Sequence, residues 1–282
     1  HDRWISGAAA ACIALPFFAW IRVDTGSWAP QTADAKRVFF AEACLPMAMR
    51  FDLAGRLLRD WAWLTPLVLL GAAMAVRQRL AVWGWLAVAA ILVAYTLGLP
   101  GGIAHNDYRY LTPLLLPLAI AGWSMLLVTV EARAGELVSA LVIVLLATVA
   151  ALTGPSFTAQ SAFARDVVDT AAWIERNTPG DARLLVHDAG GLSVLTRHPL
   201  IDIVGLKSPA SIAAHARETW PSCGRRRAQA VDAIARAGAP QYLVVVDEWD
   251  RIFRIADGLR TAGWTLTPVR THPPNTNGYD VY

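Results

Sequence analysis

The stretch His105-Asn106-Asp107-Tyr108-Arg109-Tyr110-Leu111-Thr112-Pro113 passes directly into an apolar run from Leu114 to Val130. Thr112 is suited to cap a helix, and Pro113 falls at the first helical position, where its missing N–H costs nothing. The run that follows is long enough to cross a bilayer, which takes roughly 17 to 25 mostly apolar residues. Arg109 thus marks the mouth of an expected membrane helix, and a guanidinium beside a helix N-terminus suits a phosphate. Tyr108 and Tyr110 flank it, as aromatic rings do where hydrocarbon meets water. The structural alternative is that these residues only anchor the helix at the interface.

Working outward, composition points the same way. The 282 residues are 55% hydrophobic and 17% charged and include 12 Trp, more apolar and aromatic than a soluble domain of this size needs. Five runs are read as spans, Trp61–Val76 being a short one: Ile5–Ile21, Trp61–Val76, Leu80–Leu99, Leu111–Val130 and Leu137–Leu152. Trp4, Trp20, Trp61, Trp63, Trp83 and Trp85 lie at or near their ends, and Pro16 and Pro117 bend two of them. The expected fold class is therefore a membrane α-helical bundle of about five transmembrane helices over residues 1–154, followed by a small soluble α/β domain over 155–282. The first residue is His, and the apolar segment at Ile5 lacks a basic start and an A-x-A site, so the chain reads as the C-terminal part of something longer. A net charge of +3 without a long Lys/Arg run argues against nucleic acid as a partner.

Orientation is read from the loops. If the turns at Arg77 and Arg133 are cytoplasmic, residues 23–60, the His105 loop and everything after Pro155 face outward. The basic residues run against this, because Arg22, Lys36, Arg37, Arg50, Arg56, Arg59 and Arg109 then lie outside. Either the orientation is reversed, or the outer loops carry cations to grip anionic headgroups. The latter part of the 23–60 loop suits an interfacial helix, with Leu53, Ala54, Leu57, Leu58 and Trp61 at helical spacing. A second short helix is expected around Ala35 to Cys44.

From Ser156 the pattern changes to short apolar runs between amphipathic helices. Helices are expected over Ala164–Asn177, Ser208–Glu218, Arg225–Ala237 and Trp249–Ala262, and strands over Arg183–His187, Pro199–Val204, Tyr242–Val246, Trp264–Val269 and Tyr279–Tyr282. Alternation of this kind implies a partly parallel sheet with helices packed on it. Asp188-Ala189-Gly190-Gly191 follows a strand, where open sheets bind ligands, yet it lacks the G-x-G-x-x-G spacing. Its structural account is a helix cap and a tight turn. His187 and His198 have no partner at ligand spacing, and Cys223 stands near Arg225, Arg226 and Arg227 without a His to make it a nucleophile. Cys12, Cys44 and Cys223 lack metal-site spacing, so no metal and no cofactor is assigned; a Cys44–Cys223 bridge is compatible with both lying outside the cytoplasm.

The run Arg109-Tyr110-Leu111-Thr112-Pro113-Leu114-Leu115-Leu116-Pro117 resembles the RYLxPxxP pattern of GT-C integral-membrane glycosyltransferases, such as the bacterial protein-mannosyltransferase and aminoarabinose-transferase-like enzymes. Val186-His187-Asp188-Ala189-Gly190-Gly191 and Leu200-Ile201-Asp202-Ile203-Val204-Gly205-Leu206 resemble the D-x-G and D-x-x-G-L segments of their extracytoplasmic C-terminal domains. The resemblance covers most of residues 105 to 210. It implies transfer of a sugar from a polyprenyl-phosphate carrier to a glycan, lipid or protein acceptor of the cell envelope, at the bacterial inner membrane. It also implies that the catalytic base lies in an early outward loop that this chain lacks, so no catalytic residue is assigned. Arg109 would neutralise the carrier phosphate, with His105 or the Tyr108 hydroxyl as a supporting donor and Asp107 orienting Arg109, because the leaving phosphate gathers negative charge. The rival expectation is a non-enzymatic membrane protein, an envelope assembly or transport component whose outer domain binds a partner.

Overall fold

The structure is a computed structural model that describes residues 12, 15–16, 18–23, 31–60, 82–98, 163–273 and 278–282. The expected spans over 61–76, 111–130 and 137–152 lie outside the described residues, as does most of 5–21. So do His105, Asp107, Tyr108 and Arg109. The chain divides into two compact units, one of residues 1–41 with 159–282 and one of 42–158.

In the second unit a 3-10 turn over Glu42–Cys44 precedes helix α2 (Met47–Asp60) and helix α3 (Val82–Gly98). Arg50, expected in an outer loop that grips headgroups, is instead buried, and its guanidinium donates to the Leu45 carbonyl at 2.9 Å and the Leu97 carbonyl at 2.6 Å. A cation at the carboxyl end of α3 meets the carbonyls that a helix end leaves unpaired. Arg56 pairs with Asp52 one turn back on α2, at 2.8 Å and exposed.

The expected bundle of about five transmembrane helices is overturned here. Among the described residues no helix is long and apolar enough to cross a membrane, and what they form is a mixed helix and sheet fold. Of the span expected over Leu80–Leu99 the structure describes a helix over Val82–Gly98, and the helix over Gln31–Phe40, expected at a membrane interface, packs its apolar side chains into the core of the sheet domain instead.

The first unit is built on a four-stranded sheet. Helix α1 (Gln31–Phe40) belongs to it, followed by helix α4 (163–177), β1 (Leu184–Val186), α5 (Ala189–Leu195), β2 (Leu200–Asp202), α6 (Pro209–Arg217) and α7 (Arg227–Gly238). Next come β3 (Tyr242–Val246), α8 (Asp247–Phe253), α9 (Ile255–Thr261) and β4 (Tyr279–Val281). The strand order is β2-β1-β3-β4, with β1 parallel to both β2 and β3 and β4 antiparallel to β3. Successive strand residues go to opposite faces. Leu185, Leu243 and Val245 enter one core with α1, α6, α7 and α9, while Leu184, Val186, Val244 and Val246 enter the other with α4 and α5. Both faces are covered, which is why β1 and β3 read as unbroken apolar runs.

Several elements differ from the sequence reading for identifiable reasons. The strand expected to reach Val204 stops at Asp202, whose carboxylate folds the chain back on itself by accepting the Val204 N–H at 2.9 Å and the Lys207 N–H at 2.8 Å. The single helix expected over Trp249–Ala262 is two, because Arg254 adopts a left-handed conformation (φ 51°, ψ 47°) and Asp250 caps the next helix through the Ala256 N–H at 2.7 Å. Residues 264–269 form no regular strand: one isolated bridge joins Arg270 to Val281, and the Trp264 indole is held by Asp232. Helix α1, expected in an interfacial loop, buries Ala35 and Phe39 completely in the sheet domain. Phe39 lies 5.0 Å from the His215 ring and 5.1 Å from the Phe253 ring, both edge-on. Cys44 and Cys223 are each disulfide-bonded, and Cys12 is an exposed free thiol.

Candidate functional site at the carboxyl ends of the strands

From β1 the chain goes outward to β2, then returns across β1 to β3, so its direction reverses between β1 and β3. In open sheets the crevice at the carboxyl ends of two such strands is where ligands bind, and an order beginning 2-1-3 puts it at β1 and β3. Three segments meet there: His187 to Gly191 after β1, Asp247 to Trp249 after β3, and Tyr279 on β4.

Asp188 organises the first of these. One carboxylate oxygen caps α5 by accepting the Gly190 N–H at 3.1 Å, and the other accepts the Tyr279 hydroxyl at 2.7 Å. Gly191 is required for close approach, since a Cβ there would stand 2.7 Å from the Val167 side chain on α4. Tyr279 is fixed at both ends, for its backbone N–H donates to Asp166 at 2.7 Å and Asp166 in turn holds Arg270 at 2.8 Å. Burial first, and then the charges of Asp188 and Asp166, push the tyrosine hydroxyl far above its ordinary value, so it acts purely as a donor.

His187, the residue after β1, is packed against Trp249. It is 3% exposed and its ring lies 4.6 Å from that of Trp249. Burial lowers its pKa to about 4, against the opposing pull of Asp188 and the Val244 carbonyl, so the imidazole is neutral at neutral pH. Its Nδ1 has no hydrogen-bond partner among the described residues. The sequence marked both Asp188 and His187, and the structure brings them together. It places them as a cap and a packed ring, with the carboxylate committed to two donors.

The second motif segment closes over β2. Asp202 is fully buried and collects N–H groups from the following loop. Burial raises its pKa, and the backbone donors of Lys207, Gly205, Val204 and Leu206 oppose the rise. Ser208 accepts the Asp202 N–H at 3.1 Å, and Ser211 donates to the Asp202 carbonyl at 2.6 Å. Gly205 sits at φ 98°, where a side chain would also meet Ile212. The loop delivers the exposed Lys207 to the Ser193 hydroxyl, which joins the ends of the two motif segments.

His198 is structural as well: its ring bridges Glu175 at 3.1 Å, the Thr178 hydroxyl at 2.8 Å and the Pro179 carbonyl at 3.0 Å. Asp247 lies within the first turn of α8, the cap position being Val246. Among the described residues no group of His, Cys, Asp and Glu is placed to hold a metal ion. The part that sequence reasoning passed over is Arg227, which is desolvated between Phe39 and Phe253. Its only trace in the sequence is the Arg225-Arg226-Arg227 run. The aromatic pair that receives it comes from positions 39 and 253, too far apart in the chain for any spacing to signal.

Residues 156–282 match a family model described as a domain of unknown function (DUF8728). No curated protein and no solved structure matches the chain.

Proposed function

We propose that the chain works in a glycosyltransferase of the bacterial cell envelope, one that moves a sugar from a polyprenyl-phosphate carrier to a glycan, lipid or protein acceptor at the inner membrane. The observation that carries this reading is the placement of the two soluble segments that resemble GT-C enzymes. They lie on adjacent parallel strands with Val186 opposite Asp202, and each aspartate folds the loop at the carboxyl end of its own strand. The R-Y-L-T-P-L-L-L-P run supports the same reading. Arg109 then neutralises the carrier phosphate as it leaves, His105 or Tyr108 adds a donor, and Asp107 orients the guanidinium.

The reading is tested by Arg109→Ala in the full-length protein. Transfer from a polyprenyl-phosphate sugar is expected to fall roughly a hundredfold, as for loss of one donor to a developing anion. Unfolding should be unchanged. Transfer at the wild-type rate would remove Arg109 from the site.

The cysteines support an extracytoplasmic position for the sheet domain, because disulfides persist in oxidising compartments. Alkylation of the denatured chain without reductant is expected to modify Cys12 alone, and after reduction all three cysteines. Three reactive thiols in the unreduced protein from intact cells would put the domain in the cytoplasm.

A second reading, an envelope assembly component whose outer domain binds a partner, is favoured by one observation. Asp188 and Asp202 spend their acceptor oxygens on the fold, so the strand-end crevice presents packing and caps rather than an acid and a base. Under that reading the Arg109→Ala protein keeps its function.

A further inference from the structure

On the outer side of α7, between it and the α8–α9 pair, lies a cavity of about 560 Å³. Three arginines line it, Arg225, Arg227 and Arg254, against two aspartates, Asp232 and Asp257. Both aspartates already have partners. Asp232 takes Arg236 at 2.9 Å and the Trp264 indole at 2.8 Å, and Asp257 takes Arg254 at 3.2 Å and Arg260 at 3.5 Å. The wall is therefore cationic beyond what its own carboxylates neutralise.

Arg227 is the decisive group. Its Nε and Nη2 donate to the Phe39 carbonyl, both at 3.0 Å, and its guanidinium carbon lies 4.8 Å from the Phe253 ring centre and 5.2 Å from that of Phe39. Carbonyl dipoles and ring faces hold the cation in place, but no carboxylate pairs with it among the described residues. A desolvated charge without a counter-ion is costly unless an anion completes it. Helix α7 begins here too, with no side-chain cap at Arg226.

The rest of the lining defines what else the ligand carries. Gln229 and Thr261 offer neutral hydrogen-bonding groups, and Phe253 with the exposed Ile252 offers apolar surface. A guanidinium fork matches phosphate oxygens, and the volume suits a ligand of small-molecule size. We infer that this cavity binds the phosphate ester of a polyol, with Arg225, Arg227 and Arg254 on the phosphate and Gln229 and Thr261 on the hydroxyls. A soluble sugar phosphate and an anionic lipid headgroup that ends in a polyol, such as phosphoglycerol, share that chemistry. The inference needs nothing from the transfer reaction proposed above.

The test uses the full chain with two probes. Glucose 1-phosphate against glucose, by titration calorimetry, reads the soluble source. Co-sedimentation with phosphatidylcholine vesicles with and without phosphatidylglycerol reads the headgroup source. The variant is Arg225→Gln with Arg254→Gln, since both side chains are exposed and the Arg227 contacts to Phe39 are left in place. Binding to one of the two phosphate probes is expected to exceed its control, to weaken with added salt, and to fall at least about tenfold in the double variant. Phosphate probes that bind no better than their controls overturn the site, and so does a double variant that binds as the wild type does.

Discussion

Asp202→Ala is expected to destabilise the sheet domain by about 5 kcal/mol, because it strips a buried loop of its acceptor. The carboxylate is fully buried and takes the N–H groups of Val204 and Lys207, with Gly205 and Leu206 also directed at it. Each buried donor left without a partner costs roughly 1–3 kcal/mol. The loop has no other way to satisfy several at once. For a domain of this size the melting temperature should fall by roughly 10–20 °C. Asp202→Asn keeps one acceptor oxygen and should lose about half as much. The full chain must be used, since Phe39 of α1 completes the core. Calorimetric melting within about 2 °C of the wild type for the alanine variant would show that the carboxylate does not hold this loop.

How far the fold was legible depends on whether the deciding contact is local. Strand β3 has the expected bounds, Tyr242–Val246, because five consecutive apolar residues bracketed by polar ones have few alternatives. Asp188 is likewise the cap its position suggests. What the pattern could not show are the contacts made across long stretches of chain. The split at Arg254 depends on Asp250 capping a second helix, and the loss of the strand over 264–269 depends on Trp264 reaching Asp232. Helix α1 looked interfacial because Phe39 and Phe40 are apolar beside Lys36 and Arg37, yet its apolar face is buried against α6, α7 and Phe253 rather than lipid. Hydropathy measures the wish to leave water, not which apolar phase receives the side chain.

Acid should destabilise the sheet domain from about pH 6.5 downward through two buried histidines. His187 and His215 are 3% and 0% exposed, and burial lowers the pKa of each to about 4 from an ordinary 6.5. The His215 ring is enclosed by the Thr219 hydroxyl at 2.7 Å, the Ile203 carbonyl at 2.9 Å and the Phe39 ring, and the nearby Arg227 charge opposes its protonation further. A base whose folded pKa is depressed favours folding fully above its unfolded value, and that share is lost as pH falls toward the folded one. The window is therefore about 6.5 down to about 4. Linkage gives a loss of about 2 kcal/mol for each histidine at pH 5 and about 3 kcal/mol each below pH 4. Glu175 and Asp232, whose pKa values lie below the ordinary carboxylate values of 4.5 and 3.8, contribute only further down, whereas Asp202 and Asp250, raised by burial, oppose the loss as they take up protons, so the imidazole share is read from the comparison with a histidine variant. Melting temperature should be level between pH 8 and 7 and then fall steeply, with His215→Gln removing about half of the slope while keeping partners for Thr219 and Ile203. A flat melting temperature from pH 7 to 5 would mean that neither ring pays for its charge on burial, and that the crevice between β1 and β3 admits water.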